Sequence, residues 1–121
     1  MAAGTKVLIL DDEPIVGERL KASLERDGFV VSAFSSSEEA LDELRAEEFD
    51  ILVTDIKMAS PDGMEVLRIA RQIRPAIKSV VITGFATKAT AQEAMESGAV
   101  EFVAKPFRID HLKKLLRKLA K

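Results

Sequence analysis

The sequence predicts an α/β fold: a doubly wound, five-stranded parallel sheet with five helices covering its faces. Two observations lead to this. Apolar runs alternate five times with amphipathic stretches of helical length, and strands joined by helices pair in parallel. The runs are nearly unbroken Val, Ile and Leu, as in Val7-Leu8-Ile9-Leu10 and Val80-Val81-Ile82, which is the pattern of strands buried on both sides. A third observation sets the scale. The 121 residues are expected to form one domain over 1–121, large enough to bury a core without disulfides, and the chain has no cysteine.

The first strand is expected over Lys6–Leu10. A helix follows from about Pro14 to Asp27; proline suits the first helical turn, Ile15, Val16, Leu20 and Leu24 keep helical spacing, and Gly28 supplies the stop. The second strand is Phe29–Ala33. Ser36 and Glu39 have the spacing of a capping box for a second helix, with Ala40, Leu41, Leu44 and Phe49 on its apolar face. The third strand, Ile51–Thr54, ends at Asp55, and a loop from Lys57 to Pro61 follows. Asp62 caps a third helix with apolar positions Val66, Leu67, Ala70 and Ile73, ended by Pro75. Strand four runs to Thr83. Ala91, Ala94 and Met95 mark a fourth helix stopped at Gly98. Strand five is Val100–Ala104, and Ile109, Leu112, Leu115, Leu116 and Leu119 form the stripe of the last helix.

Composition narrows the function classes. A net charge of -2 argues against direct nucleic-acid binding. No apolar run approaches the roughly 20 residues that span a bilayer, and residues 1–6 lack the apolar region of a signal peptide, so a cytoplasmic protein without a membrane partner is expected. His111, the single histidine, lies among lysines and reads as a surface residue. The basic run Lys113, Lys114, Arg117 and Lys118 reads as a solvated face.

The chemistry lies where strands end. Asp11 and Asp12 follow strand one, Asp55 follows strand three, Thr83 ends strand four and Lys105 follows strand five. In a parallel sheet these residues converge outside the carboxyl ends of the strands, where such sheets bind ligands. Each alone is ordinary: an acid before a helix is often only a cap. Together, three carboxylates, a hydroxyl and an ammonium describe a Mg²⁺-assisted phosphoryl-transfer site. A carboxylate can accept a phosphoryl group, and a divalent cation offsets the repulsion between clustered acids and the incoming anion. Gly84 leaves room for that approach. Lys57 and Phe85, two residues beyond Asp55 and Thr83, are placed to control access to it. Phe85 offers bulk without a hydrogen-bonding group, so slow self-dephosphorylation is expected.

The segments Asp11-Asp12-Glu13-Pro14, Thr54-Asp55-Ile56-Lys57-Met58, Asp62-Gly63, Thr83-Gly84 and Lys105-Pro106-Phe107 resemble the receiver domain of two-component response regulators, along essentially the whole chain. Thr83-Gly84-Phe85 and the stretch from Glu93 to Phe107 look most like the receivers of enhancer-binding transcription activators. The resemblance implies a flavodoxin-like strand order 2-1-3-4-5 and a cis bond before Pro106. It implies Asp55 as phosphoacceptor, and Mg²⁺ held by Asp12 directly, Asp11 mostly through water, Asp55 and the Lys57 carbonyl. Thr83 and Phe102 would form the switch pair. The implied partners are a histidine kinase or phosphotransfer protein as donor, and an output protein or domain on the face of helix four, strand five and helix five. A phosphorylation-dependent homodimer also belongs to that repertoire. The implied role is regulatory rather than enzymatic. One departure is Met58-Ala59, where the family often has Met-Pro. No activator or DNA-binding region is present, which fits either a stand-alone receiver or a fragment of a longer regulator.

Three other classes compete, one of them a structural pseudo-receiver, against which the complete site argues. An aspartyl phosphatase of the haloacid dehalogenase type would carry a second Asp two residues after its nucleophile, where this chain has Lys57. A flavodoxin-type cofactor binder needs a phosphate-cradling loop after strand one, and Asp11-Asp12-Glu13 would repel the phosphate.

Overall fold

The computed structural model describes residues 4–57 and 62–120. Its elements are β1 (Lys6–Leu10), α1 (Pro14–Arg26), β2 (Val30–Phe34), α2 (Ser37–Ala46), β3 (Ile51–Thr54), α3 (Gly63–Ile73), β4 (Lys78–Thr83), α4 (Lys88–Glu96), β5 (Ala99–Ala104) and α5 (Ile109–Leu119). All strand pairs are parallel, in the order β2-β1-β3-β4-β5. The expected fold class and strand order are both found.

The pleat divides the core. Leu8, Leu10, Leu52 and Val81 point to one face and meet Leu44, Val66, Leu67 and Ala94 from α2, α3 and α4. Val7, Ile9, Val53 and Ile82 point to the other and meet Leu20, Leu24, Leu112 and Leu116 from α1 and α5. Successive strand side chains alternate faces, so an unbroken apolar run serves two cores at once.

Several boundaries differ from the sequence expectation. β2 starts at Val30; Phe29 is buried ahead of it, while Val30, on an edge strand, is half exposed. β5 begins one residue early, at Ala99. α2 stops at Ala46, so Phe49 belongs to the loop into β3, where its buried ring lies 4.9 Å from Lys6 Nζ. Ser36 caps α2 by accepting from the Glu39 N–H at 3.4 Å, whereas reciprocal capping boxes occur at Asp62–Glu65 and Thr87–Thr90. Ile15 is exposed because it sits off the α1 stripe formed by Leu20 and Leu24. Met95 is likewise exposed, and Ala94 alone carries the buried contact of α4. Gly28 and Gly98 follow α1 and α4 with φ of 92° and 118°, the left-handed region that glycine tolerates. Among the described residues no helix is long and apolar enough to cross a membrane. The loop residues Met58 to Pro61 lie outside the described residues.

The basic stripe of α5 is partly engaged. Arg117 and Lys113 both pair with Asp27 at the end of α1, the latter at 3.4 Å. The Arg117 hydrogen bond is the main reason that the Asp27 carboxyl is held below its ordinary range. A depressed folded-state pKa gives stability that is present above the unfolded value and lost as pH falls through the folded one. Wild type should therefore melt above Asp27→Asn at neutral pH, with the gap closing below about pH 4. A gap that persists unchanged in strong acid would contradict the pairing.

Candidate functional site

The two-faced core determines where the site opens. β1 leads into α1 on one face, and β3 leads into α3 on the other. Adjacent strands whose chains depart in opposite directions leave a crevice at their carboxyl ends. Asp11 and Asp55 stand in it, carried by the pairing of Leu10 with Thr54. β4 runs on to Thr83, paired with Ala104 of β5, which places Lys105 at the same edge.

Five polar residues expected from sequence are thereby at one edge. Lys105 Nζ donates to Asp11 Oδ2 at 2.7 Å and to Asp55 Oδ2 at 2.9 Å, with Glu13 at 3.8 Å. Asp11, Asp12 and Asp55 each offer a carboxylate oxygen within 4.8 Å of the others. Asp11 and Asp55 are buried, while Asp12 is exposed at the rim. Asp55 Oδ1 accepts from the Lys57 N–H at 3.0 Å, and Asp11 Oδ1 accepts from the Glu13 N–H at 2.9 Å. The peptide bond Lys105-Pro106 is cis.

The charges explain the arrangement. The Asp12 carboxyl is raised above its ordinary value by partial burial first, then by Asp11, Asp55 and Glu13, with Lys105 opposing. Burial would lower the Lys105 pKa, but its hydrogen bonds to Asp11 and Asp55 outweigh this and raise it. One ammonium does not offset this much carboxylate, so the donor set has the composition of a hard-cation site.

Thr83 is fully buried, and its Oγ1 accepts from the Phe85 N–H at 3.0 Å. Phe102 is partly buried against the core on the face covered by α2, α3 and α4. Lys57 Nζ lies 5.1 Å from the centroid of the exposed Phe85 ring, so the loops after β3 and β4 touch beside Asp55. Gly84 borders open space: a Cβ there would meet nothing within 4 Å.

The critical glycine is instead Gly63. A Cβ on it would fall 2.1 Å from the Asp55 carbonyl oxygen and 2.4 Å from Ile56 Cα. That oxygen also accepts from Thr54 Oγ1 at 2.8 Å. The start of α3 is thus pressed against the backbone that carries Asp55. The Asp62-Gly63 dipeptide was visible in the sequence as a cap and as one segment of the resemblance; the close approach is a tertiary fact.

Comparison with known proteins agrees with this geometry. The family model described as "Response regulator receiver domain" matches residues 7–117. The C4-dicarboxylate transport transcriptional regulatory protein DctD of Rhizobium meliloti is 35% identical over 93% of this chain, and the transcriptional regulatory protein ZraR of Escherichia coli K12 is 32% identical over 93%. The chain spans about a quarter of the length of these curated relatives, 24% and 25%. A response regulator receiver domain protein of Methanospirillum hungatei superposes with a TM-score of 0.89 at 30% identity, covering 97% of this chain and 94% of that one. A Burkholderia pseudomallei response regulator, solved with a phosphorylated aspartic acid, calcium ion and citrate, gives 0.88 at 28% identity, covering 96% and 68%. The beryllofluoride-activated NtrC4 receiver domain dimer gives 0.87 at 31%, covering 95% and 94%. The fold, the family match and the relatives agree: the chain belongs to the response regulator receiver domain family of two-component signalling.

Proposed function

We propose that the chain is a phosphorylation switch with Asp55 as phosphoacceptor. The observation that carries this is the Lys105 ammonium seated between Asp11 and Asp55 at the carboxyl edge of the sheet. Asp55 attacks the phosphorus of a phosphohistidine or small acyl phosphate; the new O–P bond forms as the bond to the donor's nitrogen or oxygen breaks. Asp11, Asp12, Asp55 and the Lys57 carbonyl would hold Mg²⁺, which supplies positive charge at the phosphoryl oxygens when bound. Lys105 pairs with one phosphoryl oxygen, and the Thr83 hydroxyl, whose proton has no acceptor among the described residues, bonds another. Lys57 and Phe85 flank the acceptor and restrict water, and the open space at Gly84 admits the phosphoryl group. The phosphorylated aspartic acid of the Burkholderia pseudomallei response regulator supports the assignment of an aspartate as the acceptor.

Membership of the family supports the rest of the reading. The whole of 1–121 is one receiver unit in the cytoplasm. A histidine kinase or phosphotransfer protein is the donor. Thr83 and Phe102 change the face of α4, β5 and α5, which acts on an output partner or pairs with a second copy. A dehalogenase-type phosphatase is disfavoured, because Lys57 replaces the second carboxylate and its ammonium lies over the Phe85 ring.

The test is uptake from acetyl phosphate followed by intact mass. With Mg²⁺ each chain should gain one phosphoryl group; a chelator, or Asp12→Ala, should slow uptake at least about a hundredfold, the scale of losing a metal-borne charge. Uptake indifferent to both would contradict the metal assignment.

A further inference from the structure

α4 is the least anchored helix of the fold. It buries one side chain, Ala94, whereas every other helix buries at least two. Its position therefore depends on polar contacts at its two ends. After its last turn, Arg68 on α3 donates to Ser97 Oγ at 3.1 Å. Before its first turn stands the Thr87–Thr90 capping box.

That box is tied to the crevice. The Thr90 hydroxyl has one proton, and its shortest acceptor is the Phe85 carbonyl, at 2.7 Å, ahead of the Thr87 carbonyl at 3.1 Å. The same Thr90 Oγ1 accepts from the Thr87 N–H at 2.9 Å. On its other side, the Phe85 residue donates its N–H to Thr83 Oγ1. One residue thus connects the buried Thr83 hydroxyl to the first turn of α4, while its ring rests on Lys57. Thr83 is β-branched and turns between staggered wells about 120° apart, so Oγ1 cannot drift gradually toward a new partner. When it turns, the Phe85 peptide must follow or lose its bond.

We infer that Thr90 is a positioning residue: its hydroxyl transmits the state of Thr83, through the Phe85 backbone, to the first turn of α4. The inference rests on the reading of Thr83 as the hydroxyl that senses the phosphoryl group. Phosphorylation acts here by population shift, because Thr83 makes different contacts in the two states. A cap that served only α4 would have no reason to bond Phe85.

The experiment measures amide hydrogen exchange in the full chain, without phosphate, for wild type, Thr90→Val and Thr90→Ser. Valine keeps the shape and removes the hydroxyl. Exchange at both Ala91 and Phe85 should quicken about fivefold or more in Thr90→Val, the scale of one lost hydrogen bond, and Thr90→Ser should restore it. Combined with Thr83→Val, the effects on Ala91 should be non-additive, as for residues in one network. A second arm adds beryllium fluoride with Mg²⁺ as a phosphoryl mimic; NMR shift changes on α4 should fall by at least half in Thr90→Val. Faster exchange at Ala91 with Phe85 unchanged, or additive effects in the double variant, would overturn the relay and leave a local cap. If the mimic fails to bind even wild type, the phosphoacceptor reading fails, while the exchange arm still decides the relay.

Discussion

Lys105→Met should lower the rate of phosphoryl uptake from acetyl phosphate by about two to three orders of magnitude, the usual loss when one fixed donor to a developing charge is removed. Methionine retains much of the side-chain length and apolar stem but brings no charge. In the resting protein the ammonium satisfies two buried carboxylates, at 2.7 and 2.9 Å. Asp11 is only 1% exposed, so removing the ammonium leaves a buried charge without its cation. The variant should consequently melt lower without Mg²⁺ and gain more from Mg²⁺ than wild type does, since a ligand that binds the folded state stabilises it. Uptake within about fivefold of wild type, against the expected loss, would remove Lys105 from the site.

Gly63→Ala should damage both stability and uptake, although the residue carries no functional group. Its Cβ would need to occupy space 2.1 Å from the Asp55 carbonyl oxygen and 2.8 Å from the Asp55 carbonyl carbon. These are backbone atoms, and no flexible side chain can give way. Overpacking of this kind costs about 3 kcal/mol, and the melting temperature should fall by roughly 10 °C for a domain of this size. Relief requires α3 or the Asp55 backbone to move, and the acceptor is then displaced from Lys105. Displacements near 1 Å cost on the order of a hundredfold in well-positioned reactions. Thermal melts of Gly63→Ala and Gly84→Ala form a controlled pair, because a Cβ at Gly84 meets nothing within 4 Å. Gly84→Ala should melt like wild type. Equal melting of the two variants would show that the approach of α3 is not what sets Asp55.

How much of this was legible in the sequence depends on whether the signal was local. The strand runs were, because Val7 to Leu10 and Val80 to Ile82 have no amphipathic alternative reading. The convergence of Asp11, Asp12, Asp55, Thr83 and Lys105 followed once the strands were taken as parallel, since each residue ends a strand or follows one within two residues. Helix faces were less secure. Ile15 and Met95 have apolar side chains at near-helical spacing, yet both face solvent, because an offset of one residue rotates a side chain about 100° around the helix. Phe49 looked like part of α2 and instead packs from a loop. The tight seat of Gly63 and the path from Thr83 through Phe85 to Thr90 depend on how separate elements dock, and no local pattern encodes them.

The central claim is that the phosphoryl group goes to Asp55. Its most direct test is the intact mass of wild type and Asp55→Asn after incubation with acetyl phosphate and Mg²⁺, with peptide mapping of the modified chain. The account predicts one added phosphoryl group on wild type, mapped to Asp55, and none on Asp55→Asn, whose amide is not a nucleophile of comparable strength. A phosphoryl group that persists on Asp55→Asn, or that maps to another residue in wild type, would contradict it.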